Sequence, residues 1–329
     1  MRTLNVRLAI ILLVIIIVGG TGVFFIHYFQ QYRNAGFFLE QADLAKQEVE
    51  NAKKDKKPEE EAKALDKQVK NLGWYLSFRS QDLDRMEELG ILLADHVVDG
   101  KTFNQAFNSL DKVVREDNTR NKARRKLISL LMDVRIARFK DALEHIQYLL
   151  KESPDDPELL QLSGQCEAAT REYENAQKSF EKAIEYSPKQ IDTYPRLANV
   201  LRKGLDKPKE AYNCMLNLVK NNPDSAKAYV YLGNYWGSID SKEEAKQTTD
   251  KDIDPKEEAM KAAEKALELS PDDEDGLLLA AGCSMALNKL EQARKYTEHN
   301  LEVHKDSPGL SRCENLLCPK RLGGSGPPL

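Results

Sequence analysis

The chain has 329 residues, 49 basic against 53 acidic, for a formal net charge of −4. That balance gives no overall pull toward nucleic acid, and the length suffices for a large core or a repeat array. Its five cysteines, Cys166, Cys214, Cys283, Cys313 and Cys318, are too sparse for the framework of a disulfide-stapled exported domain. The first three fall in periodic helical segments, where buried thiols act as small hydrophobes.

The first element is an apolar run, Leu8 to Ile26, of 19 residues. As a helix it would extend about 28 Å, close to the thickness of a hydrocarbon core. A cleaved signal would carry a shorter apolar stretch and a small-residue cleavage site. Here Gly19, Gly20 and Gly22 are followed by Val23, Phe24, Phe25 and Ile26, so a cut would leave a bulky apolar end. An uncleaved transmembrane helix over residues 8–29 is therefore expected, with Tyr28, Phe29 and Tyr32 at the level of an interfacial aromatic belt. Arg2 and Arg7 precede the run and no acidic residue occurs before Glu40. The positive-inside rule then keeps residues 1–7 in the cytoplasm and sends the rest across the bilayer, into the periplasm if the cell is bacterial. Residues 30–82 read as a juxtamembrane helix and a long, degenerate hairpin, Phe37–Glu50 and Glu59–Phe78, broken at Lys53–Pro58.

The informative segment is Pro157–Pro188, "PELLQLSGQCEAATREYENAQKSFEKAIEYSP". Two stretches of helical periodicity flank a polar break at Thr170–Glu172. Gly164, Ala176, Phe180, Ala183 and Pro188 stand at offsets 8, 20, 24, 27 and 32. Small residues at the first two let antiparallel helices approach closely, and Pro188 ends the hairpin. Advancing 34 residues reaches Tyr194, Leu197 and Ala198, then Ala211, Met215, Leu218 and Pro223 after one inserted residue. The next unit opens on Tyr229, Leu232, Gly233 and Trp236, and its second helix, with Ala259, Ala263, Ala266 and Pro271, arrives 14 residues late. Ala281, Ala293 and Thr297 mark a further unit. Backward, the pattern continues through Ala142, Ile146, Leu149 and Pro154, and through Ala94, Ala106, Leu110 and Val113.

Six units over residues 83–308 follow from this spacing, which resembles the tetratricopeptide repeat. The resemblance implies an all-α, antiparallel helix-hairpin superhelix behind the transmembrane helix, with first helices lining a concave surface. Carried over residue by residue, that surface would include Glu158, Gln161 and Gln165, then Asp192, Arg196 and Asn199, then Lys227, Val230 and Asn234. Gln161, Gln165, Arg196, Asn199, Lys227 and Asn234 are the candidate partner-binding residues. Some family members hold a terminal carboxylate with a Lys, Asn and Arg clamp. The aligned positions here are Gln161, Gln165, Arg196, Lys227 and Tyr231, and only Lys227 fits, which argues against that ligand.

Catalytic or cofactor chemistry has no identifiable centre. "GGTG" at 19–22 lacks the continuation of a phosphate loop, and the histidines form no metalloprotease pattern. His299, His304, Cys313 and Cys318 could supply a tetrahedral zinc set, or the two cysteines a disulfide. A helix would hold the two imidazoles about 140° apart, against chelation. A basic strip, Arg120, Lys122, Arg124, Arg125, Lys126, Arg135, Arg138 and Lys140, could meet an acidic partner or anionic lipid, or be solvated helix surface. The polar stretch 237–258 reads as an insertion that cannot form core, and residues 309–329 as a disordered tail. That tail follows an incomplete unit, which leaves open a longer natural chain. The expected function is that of a membrane-anchored scaffold for a protein or peptide, without a cofactor, nucleic acid being an improbable ligand and homo-oligomerisation possible. The alternative is an adaptor or repeat region of an envelope enzyme complex whose catalytic part lies elsewhere.

Overall fold

The computed structural model describes the backbone of residues 6–249 and 253–304; within residues 6–31 it describes only the side chains of Leu13, Val18, Thr21, Phe29 and Gln30. Every element among the described residues is a helix. They form two compact units, Met1–Arg138 and Phe139–Leu329, so the chain divides inside the repeat stretch expected at 83–308.

In the first unit α1 (Val6–Lys54) is a single helix of 49 residues that packs along α2 (Pro58–Phe78). Ala35, Ala42, Ala45, Val49 and Ala52 are buried along one stripe of α1 and let α2 approach with Leu72 and Leu76. The turn between them places Lys56 in the left-handed region, at φ 55°, before Pro58 opens α2. The hairpin of α3 (Leu83–Asp95) and α4 (Gly100–Glu116) follows, and α5 (Asn121–Leu131) packs on both. Asp82 and Asp99 cap α3 and α4 by accepting from the amides of Arg85 and Thr102.

Among the described residues no helix is long and apolar enough to cross a membrane. The run Leu8–Ile26 is helical in backbone as part of α1, but most of its side chains lie outside the described residues.

The second unit begins with α6 (Phe139–Glu152) and continues as hairpins: α7 (Pro157–Ala169) with α8 (Tyr173–Tyr186), and α9 (Thr193–Asn199), prolonged by a π-helical turn at Val200–Gly204, with α10 (Pro208–Asn221). Then come α11 (Ala226–Gly237) with α13 (Pro255–Leu269), and α14 (Glu274–Ala286) with α15 (Leu290–Val303). Each second helix also packs on the first helix of the next hairpin, which buries faces that no hairpin could bury alone. The recurring small residues do the work their spacing predicts: a Cβ at Gly164 would stand 2.7 Å from the ring of Phe180, itself buried. Asp156, Ser225, Asp254 and Asp273 cap first or second helices by accepting backbone amides.

Three expectations need correction. Residues 237–258 do supply core: α12 (Lys242–Thr249) packs on α10, burying Ile239, Ala245 and Thr248. A helix inside a polar stretch can bury a few small residues on one side while its charges face water, which mean polarity conceals. The insertion also ends sooner, since Pro255 to Glu258 already belong to α13. Finally, Val230 is buried, an apolar side chain withdrawn from water on a helix whose Asn234, one turn on, stays exposed.

Candidate partner-binding groove

The first helices α7, α9 and α11 are bridged directly by side chains. Gln161 Oε1 accepts from Thr193 Oγ1 at 3.1 Å and from the Gln190 amide. Asp192 accepts from the Tyr231 hydroxyl at 2.6 Å and pairs with Lys227 Nζ at 2.9 Å. The Lys227 ammonium also lies 5.5 Å from the centroid of the Tyr231 ring. The bond from Tyr231, then that from Lys227, holds the Asp192 carboxyl below the ordinary carboxylate range, and Arg196 adds its charge to the same effect. Lys227 is shifted upward in turn, chiefly by its bond to Asp192. Tyr231, aligned with a cation of the family's carboxylate clamp, thus serves as an internal strut.

The other candidates are differently placed. Arg196, Asn199 and Asn234 are exposed and Gln165 is half-buried, and none makes a side-chain hydrogen bond or ion pair among the described residues. Gln165, Asn199 and Asn234 each follow the small residue of their helix, Gly164, Ala198 and Gly233. They occupy one repeat position on three successive first helices, and so present a ladder of carboxamides. Of the six residues expected from sequence, two are therefore committed to neighbours and four retain their hydrogen-bonding capacity.

Two features of this region are absent from the sequence reading. Arg202, in the π-helical turn, reaches across to the start of the insertion. Its guanidinium donates to Ser238 O at 3.1 Å and Ser238 Oγ at 2.8 Å, pairs with Glu244 at 3.3 Å, and lies over the Tyr235 ring. The π turn is what aims it there, and only the presence of an insertion opposite hinted that a residue would be needed to hold it. The second feature is a cavity of about 820 Å³ bounded by α11, α13 and α14. A smaller one, about 320 Å³, is bounded by α8, α9 and α10, with Glu181, Asn217 and Asn221 at its margin.

Elsewhere the candidate chemistry is already engaged. Arg120 pairs with Asp84, Glu87 and Asp117, Lys126 with Asp95, and Arg135 with Asp133. Arg124 is buried and donates to Asn118, and Arg138 stacks on Phe107, so five of the eight cations of the basic strip are engaged. His299 bonds Asp272 Oδ1 at 2.9 Å and His304 bonds Asp272 O at 2.7 Å, which turns both imidazoles to one aspartate. Cys313 and Cys318 lie outside the described residues, as does the tail 309–329, and no metal-holding cluster occurs among the described ones. Burial pushes the thiols of Cys166 and Cys214 up to about 12 and that of Cys283 to about 11, so all three are protonated and poor nucleophiles at neutral pH.

The fold and groove define an all-α helix-hairpin repeat protein. Residues 133–191 and 257–308 match tetratricopeptide-repeat family models. No curated protein matches the sequence at a significant level. Among solved structures, a tetratricopeptide-repeat protein from Parabacteroides merdae is similar at 14% identity, with 84% of this chain and 98% of that one covered and a TM-score of 0.54. MamA from Desulfovibrio magneticus RS-1 is 20% identical over 57% of this chain and 97% of its own, at a TM-score of 0.40. PilF of Pseudomonas aeruginosa is 15% identical over 71% and 99%, at 0.44. At these identities the likeness concerns the fold alone, and only the first of the three scores is high enough to support it.

Proposed function

We propose that this chain is a membrane-tethered scaffold that holds a peptide or protein segment along the first helices of its second unit. The observation that carries the reading is the set of uncommitted polar side chains there, Gln165, Arg196, Asn199 and Asn234, on three successive helices. A carboxamide offers a donor and an acceptor together, which suits the backbone of a bound segment, and an exposed guanidinium adds a charge-assisted contact. No reaction is required of such a surface, and the buried, protonated thiols do not offer one.

The tether is the run Leu8–Ile26, continuous in helical backbone with the α1–α2 hairpin. α2 returns toward it: Phe78 stacks with Phe38 and the Arg79 guanidinium lies 4.8 Å over the Tyr32 ring. In this reading residues 1–7 stay in the cytoplasm and the repeats lie on the other side of the bilayer, where confinement to a surface raises their effective concentration toward other envelope components.

Two experiments test the proposal. The full chain should resist alkaline carbonate and dissolve in detergent; an intact, Met1-bearing chain in the soluble fraction rejects the tether. In a co-purification from envelope extract, Arg196→Ala with Asn199→Ala should lose a partner that Lys178→Ala with Glu181→Ala retains. The reverse pattern would move binding to the second helices and the smaller cavity between α8 and α10.

A further inference from the structure

Gly282 holds in α14 the repeat position that Gln165, Asn199 and Asn234 hold in α7, α9 and α11, each directly after the small residue of its helix. Where three helices project a carboxamide, the fourth projects nothing, and a Cβ built on Gly282 finds no atom within 4 Å. Beside that gap lies the 820 Å³ cavity, with Ile239, Leu278, Leu279 and Ala286 among its walls. α14 is apolar on both sides: Leu277, Ala280 and Ala281 are buried inward, while Met285 on the outward side is 39% exposed. A helix that is apolar all round is normally covered. Asp240, Asp275 and Lys256 stand at the cavity's margin, and their side chains make no ion pair or hydrogen bond among the described residues.

We propose that this slot takes the apolar side chains of an extended peptide that carries lysine or arginine next to them, an inference that rests on the groove reading above. Extension follows from the ladder. Carboxamides can pair with peptide N–H and C=O groups only where the ligand leaves them unpaired, as a strand-like segment does and a helix does not. The wall from Asp275 to Ala286 measures about 16 Å along α14. Roughly five extended residues cover that distance, with alternate side chains pointing to one side. The choice of a cation follows from two carboxylates against one ammonium at the margin, which leaves a net negative rim around an apolar floor.

The test uses the full chain in detergent micelles and four fluorescent 12-residue peptides, read by anisotropy. One has leucines at alternate positions with lysine flanks, one the same leucines with glutamate flanks, one leucines at helical spacing with lysine flanks, and one is wholly polar. The first should bind at least tenfold tighter than the other three. Gly282→Leu should weaken it tenfold or more without lowering the thermal midpoint, because the new side chain enters empty space and leucine favours a helix over glycine. Asp240→Asn with Asp275→Asn should weaken it about threefold and flatten its salt dependence. Equal binding by Gly282→Leu, or preference for the glutamate-flanked or helically spaced peptide, overturns the slot. If Gly282→Leu is silent while Arg196→Ala with Asn199→Ala still weakens binding, the slot falls and the groove reading stands; if both variants are silent, both fall.

Discussion

The two units differ in what their polar side chains are doing. In the first, charge is abundant and engaged: Arg85 joins Asp43 at 2.9 Å and Glu88 at 2.8 Å, Lys46 joins Glu88 at 3.0 Å, and Arg120 spans three carboxylates. A cavity of about 480 Å³ opens there, with Lys46, Glu88, Asp84 and Glu87 of these pairs among its walls. In the second unit the first helices carry fewer charges, but their carboxamides and Arg196 are uncommitted. Binding depends on hydrogen-bonding capacity left over after folding, which is why the groove proposed above lies in the less charged region. A strip of eight cations in a sequence says little until the acids of neighbouring helices are placed beside it.

The largest expected effect comes from the packing that makes the second unit a stack. Ala176 is fully buried where α8 meets α7, and Leu at that position should cost roughly 1 to 3 kcal/mol by overpacking. Hydrogen exchange on the full chain should show lost protection in α7 to α9, while α1 and α2 keep theirs. Loss in both units would mean that they unfold together, and an unchanged thermal midpoint would place Ala176 outside the close contact.

Next comes Arg202→Ala. The side chain is only 10% exposed and its guanidinium bonds both the insertion's first turn and Glu244, so its removal should cost about 1.5 to 3 kcal/mol, the range for charged hydrogen bonds. The amides of Ser238 to Thr249 should exchange faster while those of α14 do not. Native protection across α12 would show that burial of Ala245 and Thr248 suffices to dock the insertion.

Much of the second unit was legible because its periodicity is a packing requirement. Gly164, Ala176, Phe180 and Ala183 must be what they are for one hairpin to close, and 34-residue spacing repeats that demand. The insertion was misread because its three buried residues are diluted among charged ones, and Val230 because the assignment of a helix face depends on where the helix starts. For the candidate site, the sequence identified which helices carry the polar residues. It could not tell Lys227 from Arg196, since a partner 35 residues upstream of Lys227, Asp192, is visible only once α9 and α11 lie side by side. The cavity at Gly282 is an absence of side chain, and no residue type announces it.

A smaller effect distinguishes the first unit by pH. Burial raises the Glu88 pKa, but the bonds from Lys46 and Arg85 outweigh it and leave the carboxyl below its ordinary value. As pH falls the unfolded chain therefore takes up this proton first. The stabilisation is complete above about pH 5 and is lost between there and the lowered folded value. Glu88→Gln should flatten the slope of thermal midpoint against pH below 5 and lower stability at pH 7, by about 1 kcal/mol or less because its two cationic partners are partly exposed to screening water. A slope identical to that of the unaltered chain would assign the acid sensitivity to other carboxylates.

The smallest expected effect tests the principle behind the comparison. Lys227 and Arg196 are both exposed cations on neighbouring first helices, and a count of charges would rank them equally. Lys227 is bonded to Asp192 and set against Tyr231, so a ligand must compete with that carboxylate, whereas Arg196 makes no ion pair. Removing Lys227 also takes one of two bonds from Asp192, which keeps the Tyr231 hydroxyl, and leaves its negative charge less compensated. For the lysine-flanked peptide, Lys227→Ala should change affinity by less than threefold, and a gain is the more favourable direction electrostatically; Arg196→Ala with Asn199→Ala should weaken binding well beyond that. Anisotropy titrations at low and physiological salt decide it. If Lys227→Ala weakens binding as much as the Arg196 and Asn199 pair, an internal ion pair does not withdraw a side chain from recognition, and the engaged cations of the first unit return as candidates.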